Sequence, residues 1–283
     1  MIDHLSTRQF NPLPMPARLH RPDHFRARYG SWAVVTGASD GIGRAVAEVL
    51  AGAGLHLVLV ARRGLVLDAL AADLKARYGI DVQTVAADLS AETGSDAVEA
   101  ATAALDVGLL VAAAGFGTSG AFLDADLGRE MNMLDVNVRA VLRASHHFGR
   151  RFAARGRGGL VLFGSIVGFQ GTPRAAAYAA TKAYVQTLAE GLHVEFAPHG
   201  VDVLSSAPGP VHSGFAARAA MQMGTALRPE DVVVPTLNAL GRRMTVAPGA
   251  LTKVLLASLA PLPRSLRTRI LGAVMGGMTA HRT

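Results

Sequence analysis

The chain has 283 residues, half of them hydrophobic, with no cysteine and a formal net charge of +7. That length buries one full core in one domain, the missing cysteines exclude disulfides and thiolate metal sites, and no apolar run reaches membrane-spanning length. The charge is uneven: residues 1–30 hold five basic and two acidic groups, residues 31–217 hold 14 and 17, and residues 218–283 hold nine and two. Neither basic end interleaves its cations with aromatics on a reading element, which argues against a nucleic-acid partner; the ends read as solvated faces or as contacts to an anionic partner.

Residues 1–30 form an N-terminal extension. From Met1 to Arg28 it is polar and Pro-bearing without an apolar h-region, so it reads as an extended arm and not as a secretory signal; with the absent cysteines this fits a cytoplasmic protein. A strand pattern at 31–36 is followed by a glycine-rich turn at 37–43, a helix from Arg44 to Ala53 and a second apolar strand at 55–60. The alternation continues with a helix from Leu65 to Tyr78, a strand at Val82–Ala86, a helix near Thr93–Leu105 and a strand at Val107–Ala112. A longer helical region at 126–155, a strand at 159–163, a helix ending near Pro198 and a strand at 201–207 complete the repetition. Apolar strands separated by helices predict an α/β fold, a single doubly wound parallel sheet of about seven strands. Beyond Gly209 the alternation stops; Pro229–Leu240, Leu251–Leu259 and Arg264–Met278 read as shorter helices. The domain therefore runs over 31–215, with 216–283 as its helical C-terminal appendage.

Between the first strand and first helix stands Thr36-Gly37-Ala38-Ser39-Asp40-Gly41-Ile42-Gly43. Glycines allow backbone to approach a pyrophosphate, and the helix N-terminus attracts its charge, so this placement predicts a dinucleotide. At the end of the second strand, where an acidic residue would suit the ribose hydroxyls of NAD, the chain has Arg62 and Arg63. Two cations suit a ribose phosphate, so NADP(H) is preferred over NAD(H), although either arginine could simply be solvated. Asp88, after the third strand, is placed to accept from the adenine amino group.

Past the strand at 159–163 comes Ser165, and Tyr178 and Lys182 stand four apart on the next helix. A neighbouring ammonium favours the phenolate and would bring the tyrosine closer to neutrality as a proton donor and acceptor. On spacing alone, an ordinary surface pair satisfies the same pattern.

In order, the loop at 36–43, Asp88, Ala114-Gly115, Asn137, Ser165, Tyr178-x-x-x-Lys182 and Pro208-Gly209-Pro210-Val211 resemble the short-chain dehydrogenase/reductase family over roughly residues 31–215. The resemblance implies a Rossmann-type sheet and hydride transfer between a nicotinamide and a carbonyl or secondary alcohol. It assigns Tyr178 as general acid/base, Lys182 as its tuner and holder of the nicotinamide ribose, Ser165 as orienter of the carbonyl, and Asn137 as holder of a proton-relay water. Cofactor contacts are implied for Gly37, Ser39, Asp40, Gly41, Ile42 and Gly43, for Arg62, Arg63, Asp88 and Leu89, for Ala114 and Gly115, and for Tyr178, Lys182, Pro208, Gly209, Val211 and Ser213. The family's Asn-Asn-Ala-Gly is here Ala112-Ala113-Ala114-Gly115, which removes side-chain hydrogen bonds near the adenosine. The stretch Tyr29–Thr36 with Asp40 is similar to the first-strand entry of hydroxysteroid and long-chain ketoacyl reductases of the family.

Phe116, Phe122, Phe169, Gln170 and Phe215 are candidates for the substrate pocket, with Met221 and Met223 as adaptable apolar neighbours. A small-molecule, lipophilic carbonyl or alcohol is favoured. The last helix sets Leu262, Leu266, Ile270, Val274 and Met278 along one side with Arg264, Arg267 and Arg269 elsewhere. Such a face packs on its own domain, meets a second subunit of a homo-oligomer, or rests on a membrane surface. His193, His199 and His212 have no metal-ligand spacing, so no metal site is expected. The rival to an enzyme is a nucleotide-sensing protein that keeps the fold without turnover.

Overall fold

The computed structural model describes residues 19–222 and 224–279; residues 1–18 of the expected arm, Met223 and residues 280–283 lie outside them. Strands β1 (Trp32–Thr36), β2 (His56–Ala61), β3 (Val82–Ala86), β4 (Val107–Ala112), β5 (Gly158–Phe163), β6 (Val201–Ser206) and β7 (Thr245–Val246) pair in the order β3-β2-β1-β4-β5-β6-β7. All pairings are parallel, with Val34 opposite both Val58 and Leu110 at the centre.

Alternation along each strand divides the core into two. Val35, Leu57, Leu59, Leu109, Val111, Val161 and Leu204 point to the face covered by helices α2 (Gly41–Gly52), α3 (Gly64–Tyr78) and α9 (Pro229–Ala239). Val34, Val58, Val60, Leu110, Leu160, Leu162 and Val203 point to the opposite face, covered by α4 (Glu92–Thr102), α6 (Ala140–Arg155) and α7 (Ala176–Phe196). Each fully buried Val or Leu contributes roughly 1.5–3 kcal/mol relative to exposure, which fixes both register and layering.

Three features differ from the sequence reading. The arm is not extended throughout: Pro22–Tyr29 is a helix, α1, starting on Pro22 and burying Phe25 and Tyr29 one turn apart. Its Tyr29 hydroxyl donates to Asp202 at 2.7 Å, Arg28 pairs with the same carboxylate at 2.5 Å, and the Tyr29 backbone lies so close to Gly108 that a side chain there would collide. The seventh strand, unplaced by periodicity, is a two-residue addition at the sheet edge after α9, where Ser205 and Ala207 donate to Met244 and Val246 carbonyls. The long helical region is three pieces: α5 (Leu127–Leu134), a π-turn at Asp135–Arg139, and α6.

After β6 the chain forms a short helix, α8 (Phe215–Ala219), and after β7 come α10 (Ala250–Leu259) and α11 (Arg264–Thr279). Among the described residues, no helix is long and apolar enough to cross a membrane.

Candidate active site

The reversal of strand order between β1 and β4 opens a crevice at the carboxyl ends of the strands, where open parallel sheets bind ligands. There the protein has a cavity of about 730 Å³. Residues after β1, β2, β3 and β4 line its first part, and those after β5 and β6, with the tail helices, line the second.

The first part is backbone-rich. Gly37 has φ +69°, and a side chain there would come within 2.8 Å of the Ala113 carbonyl and Ala114 amide; one at Gly43 would collide with the Gly37 carbonyl. Glycine is thus required for the loop to fold back on itself. The first turn of α2 has no side-chain cap: Asp40 occupies the cap position, but its carboxylate instead accepts from the Gly214 amide and pairs with Arg218, both at 3.2 Å. A helix start without a capping side chain, approached by glycine backbone, fits a pyrophosphate. Ser39, Gly41 and Ile42 line this part of the cavity with Gly37, Asp40 and Gly43.

Arg63 leaves β2 and donates to the Ser39 carbonyl at 2.8 Å and its hydroxyl at 3.0 Å, so the second strand and the loop share one polar corner. Arg62 and Leu89 line the cavity beside it. Hydrogen bonds from Ser90, the amide first, and the nearby Arg62 charge hold the Asp88 carboxyl below the usual carboxylate range. Asp88 Oδ1 is occupied by those bonds. Beside Ala112-Ala113, the Ala114 amide donates to the Thr36 hydroxyl at 3.0 Å. Ala114, Gly115, Pro208, Gly209, Val211 and Ser213 continue the lining.

Where β5 ends, Ser165, Tyr178 and Lys182 face the same space. Lys182 is buried and donates to the Phe163 carbonyl at 2.8 Å, and its Nζ is 5.8 Å from the centre of the Tyr178 ring. The expected lowering of the phenol does not occur in this arrangement. Burial pushes the Tyr178 phenol up, only partly opposed by a hydrogen bond with Ser165, and burial pushes the Lys182 ammonium down to about 8. Desolvation disfavours both charged forms and sets the direction of both, with the Lys182 ammonium turned to the Phe163 carbonyl. Chemically this leaves a protonated phenol beside a serine hydroxyl, an arrangement able to donate a proton to an oxygen between them.

Asn137 does not line the cavity; it sits behind it on the π-turn, 1% exposed. Its side chain accepts from the Phe116 amide at 3.1 Å and donates to the Phe116 carbonyl at 2.9 Å and the Thr181 hydroxyl at 3.1 Å. It thereby joins the strand that ends at Ala112 to the helix that carries Tyr178.

Phe116, Gln170 and Phe215 line the second part, and the Phe215 ring lies 5.3 Å from that of Tyr178. Phe122 and Phe169 lie outside the lining; Phe122 is 66% exposed on a single 3-10 turn at Phe122–Asp124, where no element covers it. Sequence reasoning missed the far wall. Leu259 and Leu262 at and after α10, with Leu271, Val274, Met275 and Met278 of α11, complete the chamber. The amphipathic pattern of the last helix was the available signal, but it did not say which face met the cavity. The wall is tied down by Gln222 donating to the Met278 carbonyl at 2.9 Å and Arg174 to the Thr279 hydroxyl at 3.3 Å. Among the described residues, no group of three His, Asp or Glu is placed to hold a metal.

A parallel sheet with this strand order, a glycine cradle for a dinucleotide and a phenol, a hydroxyl and an amine at the facing strand end defines a nicotinamide-dependent oxidoreductase. The sequence profile of the short chain dehydrogenase family matches residues 31–223, and the chain belongs to that family. Among curated relatives, the 7β-hydroxysteroid dehydrogenase of Clostridium sardiniense is 32% identical over 234 residues, covering 81% of this chain and 90% of the relative. A very-long-chain 3-oxoacyl-CoA reductase of Podospora anserina is 38% identical over 179 residues, covering 62% and 53%. A solved 7β-hydroxysteroid dehydrogenase superposes with a TM-score of 0.81 at 30% identity, covering 87% of this chain and 98% of that one. A short-chain dehydrogenase from Sphingobium yanoikuyae in complex with NADPH superposes at 0.73 and 30%, covering 83% and 97%. The protein is an enzyme that moves a hydride between a nicotinamide cofactor and a carbonyl or alcohol.

Proposed function

We propose that the enzyme reduces a bulky lipophilic ketone with NADPH, and that Tyr178 is its general acid/base. The apolar wall that α10 and α11 place opposite Tyr178 carries this reading. Arg62 and Arg63, with no acidic residue at the end of β2, support NADP(H) over NAD(H). The names of relatives agree in kind: a hydroxysteroid dehydrogenase, a long-chain oxoacyl reductase and a bulky-bulky ketone alcohol dehydrogenase from Comamonas testosteroni, the last superposing at a TM-score of 0.71.

The bound nicotinamide supplies or takes up the hydride. Ser165 and Tyr178 hold the substrate oxygen, and Tyr178 donates its proton as negative charge develops there; the upward push on the phenol keeps that proton available at neutral pH. Lys182, anchored on the Phe163 carbonyl, holds the cofactor ribose and supplies positive charge at the site. Asn137 fixes the Phe116 backbone in the wall of the crevice. A homo-oligomeric, cytoplasmic enzyme belongs to the same reading, supported by exposed Leu134, Leu142 and Val194 on α5, α6 and α7 and by the lack of cysteine.

The test is NADPH and NADH oxidation with steroid ketones, other bulky ketones, acyl thioesters and sugars. NADPH oxidation is expected with the steroid or bulky ketones. Preference for sugars would overturn the substrate reading, and preference for NADH the cofactor reading. Tight NADPH binding without oxidation of any compound would favour a nucleotide-sensing role.

A further inference from the structure

The last two helices have a second surface. On α10, Leu251 is 51% and Val254 62% exposed; on α11, Leu266 is 42%, Ile270 36% and Val274 52% exposed. Leu266, Ile270 and Val274 succeed one another at four-residue intervals, so they form one exposed stripe along α11. Ile270 and Val274, and the exposed Leu255 of α10, also line the cavity. The exposed stripe and the chamber wall are therefore continuous, and the rim of the chamber lies between these two helices.

The charge of this segment is of one sign. From Val232 to the C-terminus the sequence has seven Lys or Arg and no Asp or Glu. Lys253, Arg264 and Arg269 are exposed on the same helices as the apolar stripe. An apolar stripe between cations complements an anionic lipid surface, where acyl chains take the leucines and headgroups take the charge. A purely self-associating face would have to place these cations against one another without an acidic partner from this segment.

We propose that α10 and α11 dock the enzyme on an anionic membrane with the chamber rim facing the lipid, so that a lipophilic ketone enters from the bilayer. The entry route rests on the substrate reading above; the docking itself does not. Each cation near an anionic surface strengthens partition by roughly fivefold, and buried leucines add to this.

The full-length protein is sedimented with phosphatidylcholine vesicles and with vesicles containing phosphatidylglycerol. Binding is expected to the anionic vesicles, weakened by salt, and to fall at least roughly 25-fold in the double variant Arg264→Glu/Arg269→Glu. Val254→Asp/Leu266→Asp, whose residues do not line the chamber, should lose vesicle binding while NADPH-dependent reduction of a small water-soluble ketone persists. Negligible pelleting of the wild type with both vesicles overturns the proposal. So does a wild-type oligomer that Val254→Asp/Leu266→Asp splits into monomers without any vesicle binding, which would assign the stripe to a second copy. Vesicle binding with no turnover of lipophilic ketones leaves docking in place and refutes the substrate reading alone.

Discussion

Replacing Tyr178 by phenylalanine removes one oxygen and its hydrogen bond with Ser165. The ring keeps its place 5.3 Å from Phe215, Ser165 still accepts from the Val167 amide at 3.4 Å, and Lys182 remains on the Phe163 carbonyl at 2.8 Å. The glycine loop at 37–43 and the Lys182 anchor make no hydrogen bond to the phenol. Loss of a positioned proton donor typically lowers turnover by ~10²–10⁴-fold, about 3–5 kcal/mol in the barrier. The expected result is kcat down by that factor, with NADPH affinity by fluorescence titration within about twofold of wild type and the urea midpoint little changed. Turnover within tenfold of wild type would refute the assignment of Tyr178 as proton donor. A parallel loss of NADPH binding would instead place the phenol in the cofactor site.

Three further outcomes are expected. Arg62→Ser/Arg63→Ser should weaken NADPH roughly tenfold or more and leave NADH nearly unaffected, since charge-assisted phosphate contacts are lost only with the former; equal weakening of both would assign the arginines to the loop alone. Asn137→Ala leaves the Phe116 amide and carbonyl and the Thr181 hydroxyl without this partner, so stability in urea should fall by about 2–3 kcal/mol and turnover should fall with it; an unchanged midpoint would show that the neighbours re-pair. NADPH affinity should decline as pH rises through about 8, where Lys182 loses its proton. The folded-state value lies below the ordinary 10.5, so the unfolded chain holds more protons between these values, and the cost that burying this ammonium places on folding is relieved as pH rises across that window. Affinity constant from about pH 7 to about pH 9.5 would remove Lys182 charge from cofactor binding.

The sheet was legible because its strands are apolar throughout and separated by glycine-stopped helices, as at Gly79 after α3. The glycine cradle and the row of residues at the strand ends were legible because their placement follows from strand-loop-helix order alone. Two elements were hidden by size or composition: Thr245–Val246 is too short to show a period, and Phe25 and Tyr29 pack one turn apart within a Pro- and Arg-rich segment. The direction of the Tyr178 shift was not legible, since spacing reveals the neighbouring ammonium but not the burial that sets that direction. Nor could spacing separate Phe215, which tertiary folding brings to Tyr178, from Phe122, which the same folding leaves in solvent.

The far wall of the chamber has one more implication. Ser165, Tyr178 and Lys182 are held by the central strands and α7, whereas the apolar wall beyond Phe116, Gln170 and Phe215 comes from a late stretch attached at Met278 and Thr279. Selection or engineering can therefore retune which molecule is accepted by altering the tail while the proton chemistry stays unchanged. Grafted tails are the natural currency of diversification on this scaffold.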